Sequence, residues 1–308
     1  MQAKRLRSST FMFAVATFIW GSTWLGIKYQ LGVVAPEVSV TYRFSLAAAL
    51  LVAWCVATGR SLRFSLPQHL FIALQGALLF GLNYVGVYWA EEYAPSGLVA
   101  VLFSTIVFMN PVGARLAFGT VLSARSFVAA TMGVAGVALM FLPELTAARR
   151  GGDAARGIII GFVATAIACG GNITAARNQR AGIEVFPGIA WGMAYGALIA
   201  AIAATLRGAV WVFDSRFAYV VSLAYLAIFG SIVAFGAYLT LLKQVGPGPA
   251  AYVGVAVPVV ALTLSTLFEG YRWTWTAALG VVLAVCGNWF ALRATRPAVT
   301  LNTVARSP

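Results

Sequence analysis

The chain has 308 residues, of which 61% are hydrophobic and only 9% are charged, and its formal net charge is +13. Soluble domains carry about 25% charged residues, so this composition excludes a soluble protein and predicts one embedded in a lipid bilayer. A spanning helix needs about 20 apolar residues, and ten such helices leave no room for a separate soluble domain.

Ten hydrophobic spans follow one another along the chain, with glycine-rich and proline-rich turns between them. They cover residues 11–29, 37–58, 68–92, 95–118, 124–142, 156–178, 185–206, 216–242, 247–268 and 274–292. The first span follows a basic segment, but it is too long for the apolar region of a secretory signal, so we expect it to be retained. The sequence therefore predicts an all-α polytopic membrane protein with ten transmembrane helices.

Landmark residues recur in the two halves of the chain roughly 150 positions apart. The pairs are Gly21 and Gly171, Gly32 and Gly182, Gly81 and Gly230, Tyr88 and Tyr238, Gly119 and Gly270, Ser123 and Thr274, and Gly136 and Gly287. Because each half has an odd number of spans, the two copies would enter the membrane in opposite directions, as in secondary transporters. We therefore predict two inverted five-helix repeats, residues 1–148 and 149–308, with a short cytoplasmic tail at the end.

The positive charge is divided unevenly between the two sides of the predicted membrane. With the N-terminus inside, the cytoplasmic side holds Lys4, Arg5, Arg7, Arg60, Arg63, Arg115, Arg125, Arg177, Arg180, Lys243, Arg293, Arg296 and Arg306. The other side holds Lys28, Arg149, Arg150, Arg156, Arg207, Arg216 and Arg272. Because short loops rich in Lys and Arg stay in the cytoplasm, both termini are predicted to be cytoplasmic. The charge indicates orientation in the membrane, and we expect no nucleic-acid partner.

Sequence patterns for catalysis and metal binding are absent from the chain. It has no Walker A, HExxH, CxxC or GxSxG pattern, and its one histidine, His69, is placed near the cytoplasmic face. Cys55, Cys169 and Cys286 lie singly in different spans, which favours small buried hydrophobes over a disulfide or a metal site. We therefore expect no enzymatic activity, no cofactor and no metal.

Polar and aromatic side chains lie inside several spans, where they must face protein or water because an unpaired polar group in hydrocarbon is costly. A cavity lined by spans one to four and their repeat mates would accommodate them. The candidate substrate-binding residues are Trp20, Trp24, Tyr42, Arg43, Asn83, Tyr84, Tyr88, Phe103, Ser104, Asn172, Trp191, Tyr195, Tyr238 and Tyr252. For the aromatic residues, the alternative role is packing, and for Asn83 and Asn172 it is hydrogen bonding between helices. For Arg43, the alternative is that its side chain snorkels to the interface or pairs with Glu37.

Glycine and proline inside the spans have structural readings. Gly157 with Gly161 and Gly192 with Gly196 form GxxxG spacings, which usually indicate close contact between helices. Prolines deep in spans four and nine are candidate bending points.

With these features the chain resembles the EamA-type transporters, the ten-helix branch of the drug/metabolite transporter superfamily, along almost its whole length. The Trp-Gly-Ser-Thr sequence at 20–23 resembles the motif of that family's first helix, and Arg43 falls where the second helix often has an arginine. Residues 267–270, Leu-Phe-Glu-Gly, followed by Arg272, resemble the glycine-glutamate-arginine junction after the fourth helix of a repeat. In the first half Thr120 stands where the glutamate is usual.

The resemblance implies a central cavity that opens alternately to each side, and within the superfamily the chain is most similar to bacterial amino-acid exporters, including those for aromatic amino acids. We therefore predict an exporter in the bacterial inner membrane for amino acids with aromatic or other apolar side chains, or for related neutral metabolites. The expected partners are this small-molecule substrate and the bilayer, and the chain is expected to act as a monomer.

The source of energy and the competing functions are also open to prediction. Four acidic residues fall near outer helix ends, Glu37, Glu91, Glu92 and Glu269. The span centres therefore lack a proton-binding group, and we expect facilitated flow that does not use ATP. An exporter of lipophilic or quaternary-ammonium drugs, held by cation–π contacts, is the alternative. A membrane-embedded transferase and a non-transporting scaffold are two further classes.

Overall fold

The computed structural model describes residues 2–119, 124–140, 142, 154–245 and 253–294. Within these residues the fold is helical throughout and contains no strand. We number the helices along the chain and treat contiguous α-helical and π-helical stretches as one helix. Their bounds are α1 Gln2–Lys28, α2 Pro36–Ala57, α3 Leu66–Tyr93, α4 Ser96–Phe118, α5 Ala124–Met140, α6 Ala154–Arg180, α7 Val185–Leu206, α8 217–245, α9 Val253–Phe268 and α10 Trp275–Ala294.

Seven of the helices in the described residues are long and apolar enough to cross a membrane, namely α1, α2, α3, α4, α6, α7 and α8. In the other three the apolar part is shorter: Thr131–Met140, Ala256–Phe268 and Trp275–Gly287. The predicted spans at 37–58, 95–118 and 185–206 match helices to within one residue. In contrast, α1 begins within the basic segment that precedes its predicted span. The first residues of the predicted span 247–268 lie outside the described residues.

Local sequence determines where several helices begin and end. Pro36 occupies the first turn of α2, where its missing N–H is not needed. Before α3, the backbone N–H of Ser65 donates to Oε1 of Gln68 at 2.8 Å, which is one half of a capping box. Helix α4 ends at Gly119, whose φ of 68° is left-handed and is accessible to glycine at little cost.

Backbone irregularities recur in both halves of the chain, roughly 150 positions apart. The glycines with a positive φ angle form three such pairs: Gly32 with Gly182, Gly59 with Gly208, and Gly119 with Gly270. π-helical stretches interrupt α3 at Ala77–Leu82 and α8 at Leu226–Val233. Such stretches are frequent at functional sites, so both are candidate positions for a site.

Helices α3 and α7 approach each other closely along a seam of glycines. A Cβ atom on Gly76 would lie 2.2 Å from the carbonyl oxygen of Gly192, and one on Gly81 would lie 3.0 Å from that of Gly196. Gly192 and Gly196 form one of the predicted GxxxG pairs, and glycine is what allows two helix backbones to come this near. The seam holds the π-helical stretch of α3 in place.

We call the end of the bundle where α1 ends and α2 begins the upper end, and the opposite end the lower end. At the upper end Glu37 of α2 pairs with Arg207, just after α7, at 2.8 Å. In the loop before α8, hydrogen bonds from the side chain and backbone of Arg216 hold the pKa of Asp214 below its usual range. These pairs fix the upper loops on the helices that they join.

Helices α5 and α10 pack mainly against each other at the edge of the bundle. A Cβ atom on Gly136 would lie 2.6 Å from the carbonyl oxygen of Gly280, so this pair also depends on close backbone contact. Met140 and Ala284 are buried in the same contact. The remaining eight helices form the body of the molecule.

Candidate functional site

A cavity of about 550 Å³ lies within the body of the bundle. This volume falls in the range of roughly 300–1,000 Å³ that is typical of small-molecule sites. The lining comes from α1, α3, α4, α6, α8 and α9. The lining residues are Trp20, Thr23, Trp24, Ile27, Leu79, Asn83, Tyr84, Val87, Ala100, Phe103, Ser104, Ile106, Val107, Asn110, Pro111, Asn172, Phe235, Tyr238, Gly254, Val257 and Pro258.

Aromatic rings from four helices form much of the wall. Trp20 of α1 contacts Phe235 and Tyr238 of α8, with ring centres 5.2 and 5.3 Å away. Trp24, one turn further along α1, lies 5.4 Å from Phe103 of α4. Edge-to-face and tilted pairs at these separations are favourable, and they hold the rings in place. The cavity therefore offers a substrate rigid aromatic surface from opposite sides.

Neutral polar groups provide the remaining contacts. Nδ2 of Asn172 donates to Oδ1 of Asn110 at 3.4 Å, which joins α6 to α4 across the cavity. Nδ2 of Asn83 donates to the carbonyl oxygen of Leu79 at 3.2 Å, in the π-helical stretch of α3. The lining among the described residues includes no charged side chain. Hydrogen bonding is therefore available to a ligand, but direct ion pairing is not.

The cavity lining is more deeply buried towards the upper end than towards the lower end. The lining residues nearest the upper end, Ile27, Val87 and Ala100, are buried. Towards the lower end Asn110 and Tyr238 are only partly buried.

Arg43 of α2 lies behind the cavity wall and is 1% exposed. Its guanidinium carbon lies 4.6 Å from the ring centre of Tyr84, a lining residue, and its Nε donates to Oγ of Ser231 at 3.5 Å. Its Nη1 has no hydrogen-bond partner, and it pairs with no carboxylate among the described residues. The expected pair with Glu37 is not formed, because Glu37 pairs with Arg207. Since arginine stays charged when buried, a positive charge lies one side-chain layer from the cavity.

Buried polar residues continue above the cavity on α3. Oη of Tyr88 donates to Oε1 of Gln30 at 2.6 Å. Glu91 has no exposed surface, and neither of its carboxylate oxygens has a hydrogen-bond partner. Nζ of Lys28 donates to the backbone oxygen of Glu91 at 2.7 Å and not to its carboxylate. Glu91 is near the end of α3, as predicted, but its side chain is enclosed by protein.

The cavity brings together eight of the predicted substrate-binding residues: Trp20, Trp24, Asn83, Tyr84, Phe103, Ser104, Asn172 and Tyr238. Arg43 and Tyr88 are buried next to it without lining it. Tyr42 lies near the upper end, where its Oη donates to the backbone oxygen of Val212 at 3.2 Å. Tyr252 lies outside the described residues.

Trp191 and Tyr195 of α7 are not in the cavity lining. Nε1 of Trp191 donates to the backbone oxygen of Leu62 at 3.0 Å, and Oη of Tyr195 lies 3.0 Å from Nδ1 of His69. The prediction that spans two and seven also line the cavity is wrong for the described residues. These two helices pack against each other, and the glycines of α7 are used in the seam with α3.

Other residues at the site were not among the predicted set. Asn110 precedes a proline inside α4, and a polar residue beside a helix-breaking proline is a usable signal for a cavity wall. Phe235 is one apolar residue in an apolar span, so no local pattern distinguishes it. The enclosure of Glu91 and Gln30 depends on how α1, α2 and α3 pack, which span positions alone do not specify.

Comparisons with known proteins agree with this picture. Residues 7–142 and 156–293 each match the sequence model of the EamA-like transporter family. The chain is 29% identical over 279 residues to the uncharacterized inner membrane transporter YedA of Escherichia coli, covering 87% of this chain and 86% of that protein. It is 21% identical over 301 residues to protein PagO of Salmonella typhimurium, covering 95% of each. It is 23% identical over 272 residues to the uncharacterized transporter YoaV of Bacillus subtilis, covering 88% of this chain and 92% of that protein. A solved crystal structure shares the fold with a TM-score of 0.65 at 20% identity, covering 92% of this chain and 96% of the other.

Proposed function

Because this chain belongs to the EamA-like transporter family, we propose that it exports amino acids with aromatic or other apolar side chains, or related neutral metabolites, across a bacterial inner membrane. The cavity carries this proposal. It combines a volume of about 550 Å³, aromatic walls and uncharged hydrogen-bonding groups. A zwitterion with an apolar side chain matches that combination.

The aromatic wall supplies the binding energy for the side chain of the substrate. Burying roughly 100 Å² of apolar substrate surface contributes about 2.5 kcal/mol, since each square ångström removed from water is worth about 25 cal/mol. Asn110, Asn172 and Ser104 provide donors and acceptors for the ammonium and carboxylate groups. Area burial does not distinguish one apolar side chain sharply from another, so the proposed range is broad.

The buried guanidinium of Arg43 favours a substrate with a carboxylate over an organic cation. At a separation of roughly 9 Å and an effective dielectric constant of about 20, the attraction of a unit charge for the carboxylate is about 2 kcal/mol, and the repulsion of the substrate's own ammonium group offsets part of it. The same charge opposes a quaternary ammonium ion by a similar amount, which offsets cation–π contacts with the wall. For this reason we place amino acids ahead of cationic drugs.

We also propose that ten helices cross the membrane as two inverted five-helix repeats, 1–148 and 149–308. The recurring left-handed glycines and the π-helical stretches in α3 and α8 support this arrangement. The uneven division of Lys and Arg supports cytoplasmic termini, so the upper end of the bundle would face away from the cytoplasm. Alternating access then means that the cavity opens in turn to that side and to the cytoplasm.

We propose a transporter that is not an enzyme and needs no cofactor. The chain has no nucleotide-hydrolysis motif, so ATP is not the proposed source of energy, and we propose facilitated flow down the substrate gradient. The four acidic residues near the outer helix ends are expected to reach water, but the side chain of Glu91 is buried. Flow down a gradient does not depend on that expectation.

Counterflow in proteoliposomes tests the proposed function. Vesicles loaded with unlabelled L-phenylalanine should accumulate labelled L-phenylalanine and L-leucine, but not labelled aspartate, lysine or tetraphenylphosphonium. Trp24→Ala should weaken the exchange, because Trp24 lines the cavity. Trp191→Ala is the matched control, since Trp191 is an aromatic residue outside the lining, and it should retain exchange. Failure of every neutral amino acid to exchange, or exchange of the phosphonium alone, would overturn the proposal.

A further inference from the structure

We propose that Glu91 is a proton-binding site and that its protonation is linked to binding of the substrate's carboxylate near Arg43. The inference rests on the proposed function, because it requires a carboxylate to enter the cavity. It adds a second ligand, the proton, and assigns it to one buried side chain. Its basis is two buried groups of opposite charge on one side of the cavity, neither of which has an ion-pair partner.

Arg43 of α2 contacts the face of α3 that carries Glu91. Tyr84, Tyr88 and Glu91 follow one another at helical spacings of four and three residues, so they share a face. The guanidinium of Arg43 lies 4.6 Å from the ring centre of Tyr84. Arg43 therefore contacts this face of α3 at Tyr84, about two helical turns before Glu91.

The surroundings of Glu91 fit a carboxyl group that changes its protonation state. Its two oxygens have no donor in this structure, and an ionised carboxylate buried without donors is unfavourable, so the neutral form fits this conformation. Nε2 of Gln30 and Nη1 of Arg43 are also buried without partners, and the side chain of Gln30 binds Tyr88, three residues before Glu91 on α3. Lys28 is held at the backbone oxygen of Glu91 itself. Small side-chain shifts would therefore supply donors to a negative Glu91.

Other charged groups around Glu91 are either paired or near solvent. Glu269, at the end of α9, is bound by the hydroxyl and the backbone N–H of Ser96, at the start of α4. The charged residues on the other elements around the upper end of α3 are Lys28 on α1, Glu37 on α2, Glu92 on α3, Arg156 on α6 and Arg207 after α7. Among the Asp, Glu, Lys, Arg and His side chains of the described residues, Arg43 and Glu91 are the ones that are almost wholly buried and have no ion-pair partner.

Linkage follows from the shared electrostatic field of these two groups. An ionised Glu91 partly cancels the charge of Arg43 and so weakens the attraction for an incoming carboxylate. A neutral Glu91 leaves that attraction intact. Binding of a carboxylate should therefore take up a proton at Glu91. The sign is fixed: affinity is highest at a pH where Glu91 is already protonated, and it falls as the pH rises and each binding event must draw a proton from solution.

Calorimetric titration of the purified full chain in detergent with L-phenylalanine tests this linkage between pH 5 and pH 7. The probe keeps its zwitterionic form over this range. The affinity of the wild type should fall about tenfold as the pH rises, within the range typical of coupled sites. The measured enthalpy should also vary with the ionisation enthalpy of the buffer, which reports proton uptake. Phenethylamine, which lacks the carboxylate, should show neither effect.

Variants locate the proton. Glu91→Gln should bind L-phenylalanine with an affinity that does not change with pH, whereas the matched control Glu92→Gln, at the neighbouring exposed position, should retain the wild-type dependence. His69→Gln should also retain it. Loss of the dependence in His69→Gln or Glu92→Gln, or its persistence in a folded Glu91→Gln, would overturn the assignment.

Two measurements keep the inference independent of variant folding and of the proposed function. The buffer dependence on the wild type needs no substitution, and its absence alone would overturn the linkage. A wild type that binds L-phenylalanine equally at every pH would defeat the inference and leave the proposed function standing. A wild type that binds no neutral amino acid at any pH would instead defeat the proposed function.

Discussion

A single methyl group added at Gly76 should loosen the contact between α3 and α7. The new Cβ atom would lie 2.2 Å from the carbonyl oxygen of Gly192, roughly 1 Å inside an ordinary van der Waals contact. The opposing atom belongs to the backbone, so no change of rotamer relieves the clash and the helices must separate. Overpacking of this kind costs about 1–3 kcal/mol, which the better helix propensity of alanine offsets by about 1 kcal/mol. We expect a net loss of up to about 2 kcal/mol, which lowers the melting temperature by a few degrees.

Thermal unfolding in detergent, followed by intrinsic tryptophan fluorescence, measures this loss for Gly76→Ala. The matched control is Gly236→Ala in α8, because a Cβ atom there would have no atom within 4 Å and alanine should be neutral or slightly stabilising. Transport should fall in Gly76→Ala as well, since the seam positions the π-helical stretch that carries Leu79 to the cavity. If Gly76→Ala melts with the wild type, or if Gly236→Ala loses as much, the steric argument is wrong.

Three further outcomes are expected. Tyr88→Phe should lower the free energy of unfolding by about 1–3 kcal/mol, because it leaves the buried side-chain oxygen of Gln30 without its donor; an unchanged melt would contradict this. Trp24→Ala should raise the substrate concentration for half-maximal transport about fivefold, since the lost ring contact is worth about 1 kcal/mol, and unaltered kinetics would remove Trp24 from the site. In a variant without the native cysteines, Ser215→Cys should react with an impermeant reagent from outside intact cells and Ser61→Cys only after lysis; the reverse pattern would invert the proposed orientation.

Hydrophobic length predicts helices well because a bilayer imposes it. Composition and turn residues alone predict the spans at 37–58 and 185–206, and both agree with helices to within one residue. The same reasoning is weaker at the start of α1, where the helix begins within the basic segment that precedes the apolar span. Length therefore gives the elements, and packing gives their exact limits.

The position of a span in the sequence does not specify how the helix is rotated about its own axis. Trp20, Tyr84 and Tyr238 are aromatic residues far from the ends of their spans, and they line the cavity. Trp191 and Tyr195 satisfy the same description, yet α7 uses its glycine face against α3 and directs these two residues towards His69. The sequence of one helix indicates how deep each residue lies in the membrane, but packing against neighbouring helices determines which residues face the cavity.

Glu91 shows the same limit for charge. Its sequence position near the end of a span is the position of a residue that usually reaches water. Enclosure results from the approach of α1 and of the Gln30 turn above Tyr88, contacts between residues about 60 positions apart that no single span reveals. The buried state of Arg43 arises in a similar way.

The edge position of α5 and α10 has a consequence for how such a chain can change over time. Neither helix contributes a side chain to the cavity in the described residues, and their contact depends chiefly on each other. Substitutions on α5 or α10 leave the cavity lining unchanged, whereas substitutions on α1, α3, α4, α6, α8 or α9 can alter what the cavity accepts and, as at Gly76 and Tyr88, also the stability of the bundle. A new substrate range can therefore be acquired without any change in the contact between α5 and α10.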